Sequence, residues 1–315
     1  MVLTSGNDMN GKHIILAGGS GFIGSALTQR LLSGGARVTV LTRSDRIAPQ
    51  AGVRYVVWDG RSRGPWTEVL EGADALVNFS GRNVNCRLTP RNKRELLTSR
   101  LEALKVLGEA VSRCRHEPGV FVHCSAVGFY GDTGRSCNEE APAGSGMLAD
   151  ITKTCEAAIN GMAFTDTRKV VLRLGVVFGR EGGALPVLAR LTRCFLGGAA
   201  GNGRQGVSWI HLQDLNRVFC EVLENAKLNG VFNAVTPQPI TNAELMQTLR
   251  RVLNRPWSPP VPAWLLRTLS LVVGINPELI LTGKRCLPTR LQQAGFEFEY
   301  QDLESALQNL LGVGS

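Results

Sequence analysis

The run IILAGGSGFIG, Ile14 to Gly24, sets an apolar segment directly before a glycine-rich turn and a helix-forming stretch. The spacing Gly19-x-Gly21-x-x-Gly24 makes three physical demands: a tight turn, close backbone approach to a pyrophosphate, and close packing of helix on strand. Only glycine meets all three. A helix over Phe22 to Ser33 would aim unpaired backbone N–H groups and its positive dipole end at the phosphates. A glycine turn alone is a weak signal, but here a strand precedes it, an apolar-periodic helix follows, and a second strand, Val38 to Thr42, closes a βαβ unit. We therefore expect a dinucleotide on Gly18, Gly19, Ser20, Gly21, Phe22, Ile23 and Gly24.

The end of the second strand selects the dinucleotide. An acidic residue there holds the ribose 2′-hydroxyl of NAD, whereas an arginine accepts the 2′-phosphate of NADP. The chain reads VTVLTRSDR, with Arg43 at that place, Thr42 and Ser44 as hydroxyl donors and Arg46 as a second charge. NADP is the expected cofactor; Asp45 is the residue that argues for NAD.

Working outward, 315 residues of 43% hydrophobic composition can bury a large core. The longest apolar stretch, VPAWLLRTLSLVVGI, is interrupted by Arg267 and is too short to span a bilayer. The formal charge is +9, yet the arginines are dispersed and aromatics make up only 6%. That distribution argues for anionic small ligands and against nucleic acid. The cysteines at 86, 114, 124, 137, 155, 194, 220 and 286 form no CxxC pair, and there are four histidines. Neither a metal site nor a disulfide framework is expected, and reduced thiols point to a cytoplasmic compartment.

Along the chain, VRYVVWDG is a third strand ending at Asp59, which reads equally as an adenine neighbour or as a turn aspartate. ADALVNFSG is a fourth, delivering Phe79, Ser80 and Gly81 to the carboxyl edge where ligands of parallel sheets sit. Pro90 to Arg115 reads as one amphipathic helix carrying Glu95 and Arg100, each either cofactor-facing or solvated. VFVHCSAVGFYGD is a fifth strand presenting Ser125 and Tyr130. A helix over MLADITKTCEAA and a single strand over KVVLRLGVVFG follow. This alternation predicts an α/β fold with a doubly wound parallel sheet and a smaller C-terminal substrate lobe. We expect a disordered extension over 1–10, an NADP-binding Rossmann domain over 11–180, and a substrate lobe over 181–315 with segments returning to the sheet. In that lobe a mobile loop, Gly197 to Gly206, carries Arg204 and precedes Trp209, both candidate substrate contacts. His211 and Asp214 read as a packed histidine and a helix N-terminal charge.

The segments GGSGFIGSALTQRL, VNFSGRNV, TSRLEA, SAVGFYGD, LRLGVVFGREGGAL, GRQGVSWIHLQDL, VFNAVTPQPITNAEL and LPTRLQQAGFEF together resemble an atypical extended short-chain dehydrogenase/reductase of the epimerase family, in the sugar-epimerase-like, family 39U member 1-like branch. The resemblance spans nearly the whole chain. It implies a Rossmann domain binding NADP, a C-terminal substrate lobe, and cofactor contacts at Thr42, Arg43, Phe79, Ser80, Glu95 and Arg100 besides the glycine loop. The family's habit also implies a homodimer through the helices near 90–115 and 147–163.

The chemistry departs from the pattern. Typical members use Tyr-x-x-x-Lys, the tyrosine transferring a proton and the lysine lowering its pKa and holding the ribose. Four residues beyond Tyr55, Tyr130 and Tyr300 stand Asp59, Gly134 and Glu304, so the motif is absent. Lys153 lies on the expected helix with Ala149 in the tyrosine's place. The branch's LA-x-V-C-x-x-W-E helix reads LADITKTCE here, with Cys155 for tryptophan and Glu156 kept. Val207 stands where nucleotide-sugar epimerases often carry arginine. Two functions follow. In one, the chain is an NADP(H)-dependent oxidoreductase or epimerase-like enzyme on a small carbonyl or hydroxyl substrate, with Ser125, Tyr130 and Lys153 as candidate catalytic residues. The alternative is a non-catalytic NADP-binding redox sensor or regulatory scaffold.

Overall fold

The computed structural model describes residues 9–45, 48–273 and 276–312. Arg46 and the first eight residues of the expected extension lie outside them. The fold begins earlier than residue 11: Met9 is fully buried in the main core, and its carbonyl accepts the Lys12 N–H at 3.1 Å.

Seven parallel strands form one sheet: β1 (His13–Ala17), β2 (Arg37–Thr42), β3 (Val53–Val57), β4 (Ala75–Asn78), β5 (Val120–Ala126), β6 (Arg168–Leu174) and β7 (Gly230–Ala234). Their order is β7-β6-β5-β4-β1-β2-β3. The direction of winding reverses between β1 and β4, which opens a crevice at their carboxyl ends. β7, drawn from the C-terminal half, extends the sheet beside β6.

Both sheet faces are apolar and both are covered, as parallel strands require. Helices α1 (Phe22–Ser33) and α5 (Leu212–Glu224) lay Leu27, Leu31, Leu215, Val218 and Phe219 over Val38, Val40, Val122 and Leu172. On the other face α2 (Pro90–Val111) and α3 (Met147–Asn160) lay Leu96, Leu104, Leu107, Ile151 and Ile159 over Ile15, Leu76, Phe121 and Val171. Each such side chain contributes about 1.5–3 kcal/mol by leaving water. Helix α2 starts where its sequence signals it should, on Thr89, whose side chain accepts the Asn92 N–H, with proline at the first position. It ends at Val111, short of Arg115.

KVVLRLGVVFG is two strands rather than one. A Cβ at Gly175 would stand 2.6 Å from the Ser208 carbonyl oxygen and 2.7 Å from Val235. The chain therefore leaves the sheet at this glycine, and Val176–Phe178 pairs in parallel with Trp209–His211. Phe178 and Trp209 of that pair belong to a third buried cluster with α4 (Leu185–Arg193), α6 (Asn242–Val252) and the last helix, Leu303–Leu311. Among the described residues no helix is long and apolar enough to cross a membrane.

Candidate functional site

The three motif glycines are distinguished by what surrounds them. A Cβ at Gly19 would stand 2.6 Å from Leu16 Cβ, and one at Gly24 would stand 2.6 Å from Gly19 Cα. Both are required by the turn and by helix packing. At Gly21 a Cβ would meet nothing within 4 Å, and φ is −83°, open to any residue. The protein itself gives Gly21 no reason to be glycine, whereas a phosphate group lying on the turn would. Gly21 is also the N-cap of α1 with no side chain to cap it, so the helix N-terminus is left for an external acceptor.

The opposite wall comes from β4. The Phe79 N–H donates to the Ala17 carbonyl at 2.8 Å, and the Phe79 ring packs edge-on against Phe219, centroids 5.4 Å apart. Ser80 stands against Gly18, where φ is +73°. Its Oγ is buried with no hydrogen-bond partner, an arrangement that a bound polar ligand would satisfy. Gly81, at φ +158°, lies under Arg100, whose Cγ would be 2.9 Å from a Cβ there. Arg100 Nη1 donates to the Leu96 carbonyl at 2.8 Å. Burial lowers its pKa, and the neighbours that favour its charge are the Cys155 and Cys86 thiols.

At the end of β2, Thr42 is buried, with Oγ1 accepting the Ser44 N–H at 3.2 Å, while Arg43 is exposed. Asp59 is a turn aspartate: it accepts the Arg61 and Ser62 N–H groups at 2.8 Å each, and these bonds with the Ser62 hydroxyl lower its pKa to about 2. Glu95 is held by Arg82 and by Arg91 at 2.8 Å. The Phe22 ring is engaged by the loop after Phe178, since a Cβ on Gly179, Gly182 or Gly183 would strike it. What Phe22 retains for a ligand is its backbone.

Ser125 and Tyr130 are brought into one buried network, but not with Lys153. Register makes Ser125, Arg173 and Asn233 neighbours on β5, β6 and β7, and the pleat turns all three toward α3. Ser125 Oγ donates to Glu156 Oε1 at 2.6 Å. Arg173 binds both oxygens of the same carboxylate, Nη2 to Oε2 at 2.7 Å and Nε to Oε1 at 3.0 Å. Arg173 Nη1 donates to the Tyr130 hydroxyl at 2.8 Å, and that hydroxyl donates to Asn233 Oδ1 at 2.8 Å. The guanidinium lies over the Phe129 ring, 3.4 Å from its centroid. Burial outweighs these partners and pushes the Tyr130 phenol up to about 12. The phenol is thus held by two partners and only 3% exposed. Lys153 points elsewhere, pairing with Asp150 at 2.8 Å. Arg173 and Asn233 escaped the sequence reading, although an arginine inside the apolar run KVVLRLGVV signals a buried partner.

On the substrate side, Trp209 is fully buried and stacks on Phe178, centroids 5.6 Å apart. This corrects the expectation of a substrate contact: the strand pair and α6 close over the ring. Arg204 is exposed. The glycine loop that carries it is tied down rather than free. Arg250 donates to the Gly197 carbonyl at 2.5 Å, Ala200 N–H to Asn242 Oδ1 at 2.8 Å, and Gln205 Nε2 to the Ala200 and Ile280 carbonyls. His211 accepts the Gln213 N–H through Nδ1 and stacks on Tyr300 at 3.8 Å. Asp214 is fully buried, accepting the Glu299 and Tyr300 N–H groups. Both residues fasten the C-terminal segment to α5.

Comparison with known proteins identifies the family. Residues 14–234 match the NAD dependent epimerase/dehydratase family, and residues 261–310 match a domain of unknown function, DUF1731. The epimerase family protein SDR39U1 homolog, chloroplastic, of Arabidopsis thaliana is 33% identical over 99% of this chain and 90% of its own length. An epimerase family protein of Staphylococcus saprophyticus is 32% identical over 95% of this chain and 99% of its own. The crystal structure of human epimerase family protein SDR39U1 (isoform 2) with NADPH superposes with a TM-score of 0.84 at 32% identity, covering 95% of this chain and 99% of that one.

Proposed function

Since the chain belongs to the NAD dependent epimerase/dehydratase family, we propose that it is an NADP(H)-binding oxidoreductase or epimerase-like enzyme, acting on a small carbonyl or hydroxyl substrate without a Tyr-x-x-x-Lys motif. The observation that carries the cofactor reading is the open space over Gly21, together with the unpartnered Ser80 hydroxyl beside Gly18. Arg43, exposed at the end of β2, supports NADP over NAD, as does the NADPH in the human relative's structure. Gly18 to Gly24 would hold the pyrophosphate, Thr42 and Arg43 the 2′-phosphate, and Ser80, Gly81 and Arg100 the nicotinamide half. When bound, the nicotinamide supplies or accepts hydride. Ser125 and Tyr130, through Glu156, Arg173 and Asn233, would tie the end of β5 and the loop after it to α3, β6 and β7. Lys153, half-exposed, is the member of the expected trio left to support a ribose.

The experiment is a fluorescence titration with NADPH and with NADH, repeated on Arg43→Asp. NADPH should bind at least tenfold tighter than NADH, and the variant should lose that preference. Failure of both cofactors to bind would overturn the reading.

A second reading, a non-catalytic NADP-binding redox sensor or scaffold, is favoured by the closed Ser125–Glu156–Arg173–Tyr130–Asn233 network, which engages the Tyr130 phenol. A panel of small aldehydes and ketones, assayed by NADPH oxidation, separates the two. Turnover of any member supports the enzyme, and saturable NADPH binding without turnover supports the sensor.

A further inference from the structure

Two cysteines outside the cofactor site stand directly opposite each other. Ser136–Cys137, in the loop after β5, and Arg285–Cys286, in the C-terminal segment, form a two-residue parallel ladder in which Cys137 and Cys286 are register partners. Paired strands run about 4.8 Å apart, within the roughly 4.4–6.8 Å Cα separation that a disulfide spans. Both side chains enter one small buried cluster with Val127, Tyr130 and Val235. Both are free thiols; Cys286 is fully buried and Cys137 keeps 7% exposure.

We propose that Cys137 and Cys286 are a redox-active pair that closes to a reversible disulfide, fastening the loop after β5 to the C-terminal segment. The Cα spacing already suits the link, and closure asks only that the two Cβ atoms draw in to about 3.5–4.5 Å. Leu287 N–H donates to the Cys137 carbonyl at 2.9 Å, Gly283 N–H to Asp132 Oδ1 at 2.8 Å, and Thr133 N–H to the Gly283 carbonyl at 3.0 Å. The same loop carries Glu139, which accepts the Asn233 N–H at 3.0 Å, so the link would brace the wall that positions Tyr130. Burial pushes both thiols up, Cys286 to about 12, and the pair rests as a dithiol until a peroxide reaches it. The Cys137 sulfur then attacks one peroxide oxygen; an S–O bond forms, the O–O bond breaks, and the leaving hydroxide takes the Cys137 thiol proton and departs as one water. The Cys286 sulfur attacks the resulting sulfenic acid; the S–S bond forms, the S–O bond breaks, and the hydroxyl leaves with the Cys286 proton as a second water. Two thiols lose two electrons in total and hydrogen peroxide takes them up.

The test uses the full chain treated with hydrogen peroxide, blocked with iodoacetamide and digested without reduction for mass spectrometry. We expect a linked peptide pair joining Cys137 to Cys286. Because that link closes nearly half of the chain into a loop, the thermal midpoint should rise by roughly 5 °C or more. Dithiothreitol should reverse both. Cys137→Ser and Cys286→Ala should each abolish the linked peptide and the shift; wild-type peptide mapping stands on its own if either variant does not fold. Exposed Cys194 is the reference thiol that reacts without joining the pair. The proposal is overturned if both thiols are still alkylated after oxidation, if either links to a different cysteine, or if the linked protein melts lower.

Discussion

Arg173 and Glu156 face each other across the β6–α3 interface at 2.7 Å, both side chains at most 6% exposed. Each of the pair also holds a residue expected to be catalytic, Glu156 through the Ser125 hydroxyl and Arg173 through the Tyr130 phenol. The cation beside the phenol is thus an arginine already paired with a carboxylate, where a Tyr-x-x-x-Lys site has a lysine.

Breaking this pair from one side leaves a buried charge without its partner. Glu156→Gln should therefore cost about 3–5 kcal/mol, read as a lower midpoint in urea at unchanged slope. Adding Arg173→Met should cost less than the sum of the two single effects, because neither charge is then stranded. Strict additivity would show that the two side chains do not act as a pair.

Tyr130→Phe removes one oxygen and leaves Arg173 Nη1 and Asn233 Oδ1 short of a partner. The expected loss of stability is about 1–3 kcal/mol, with NADPH affinity changed less than twofold. If turnover is found, a hundredfold fall in kcat for a folded Tyr130→Phe would return the phenol to the chemistry.

The glycine turn, with its strand and helix, was legible because its signals are local. Each motif glycine, the apolar strand and the amphipathic helix lie within Ile14 to Ser33, and the turn follows from their order. The network around Tyr130 was not. Ser125, Arg173 and Asn233 lie far apart in the chain, and only the β5–β6–β7 register makes them neighbours. Trp209 looked available from sequence because α6 and the last helix, which bury it, follow it by more than thirty residues. Gly175 was readable as a breaker only in principle, since the atoms that exclude a side chain there, Ser208 and Val235, come from later segments.

Acid should weaken the fold through His123. This histidine sits inside β5, accepts from Asn78 Nδ2 at 3.4 Å, and is held down to about 3 by burial and by the Arg100 charge. The folded protein therefore keeps it neutral while the unfolded chain takes up a proton below about 6.5. Stability is intact above that pH and is lost progressively as pH falls toward 3. Between pH 6.5 and 5 the single group should remove about 2 kcal/mol. His13 and His211 are lowered too and add in the same direction. Urea unfolding of the wild type and His123→Gln across this range should give a shallower slope for the variant; equal slopes would place the titration elsewhere.

Alanine scanning of the three motif glycines separates scaffold from ligand. At Gly24 the new methyl meets the Gly19 backbone at 2.4 Å, and at Gly19 it meets Leu16 at 2.6 Å. Overpacking of that kind costs about 1–3 kcal/mol, so both variants should melt early whether or not cofactor is present. At Gly21 the methyl meets nothing within 4 Å and the backbone is already in an ordinary conformation. Gly21→Ala should lose only about 1 kcal/mol or less, the cost of a poorer N-cap. Yet its methyl occupies the space where a pyrophosphate would lie against the turn, so NADPH affinity should fall at least tenfold, about 1.4 kcal/mol. A stable Gly21→Ala protein that binds NADPH as tightly as the wild type would mean that the phosphates rest elsewhere, and the glycine turn would be structural alone.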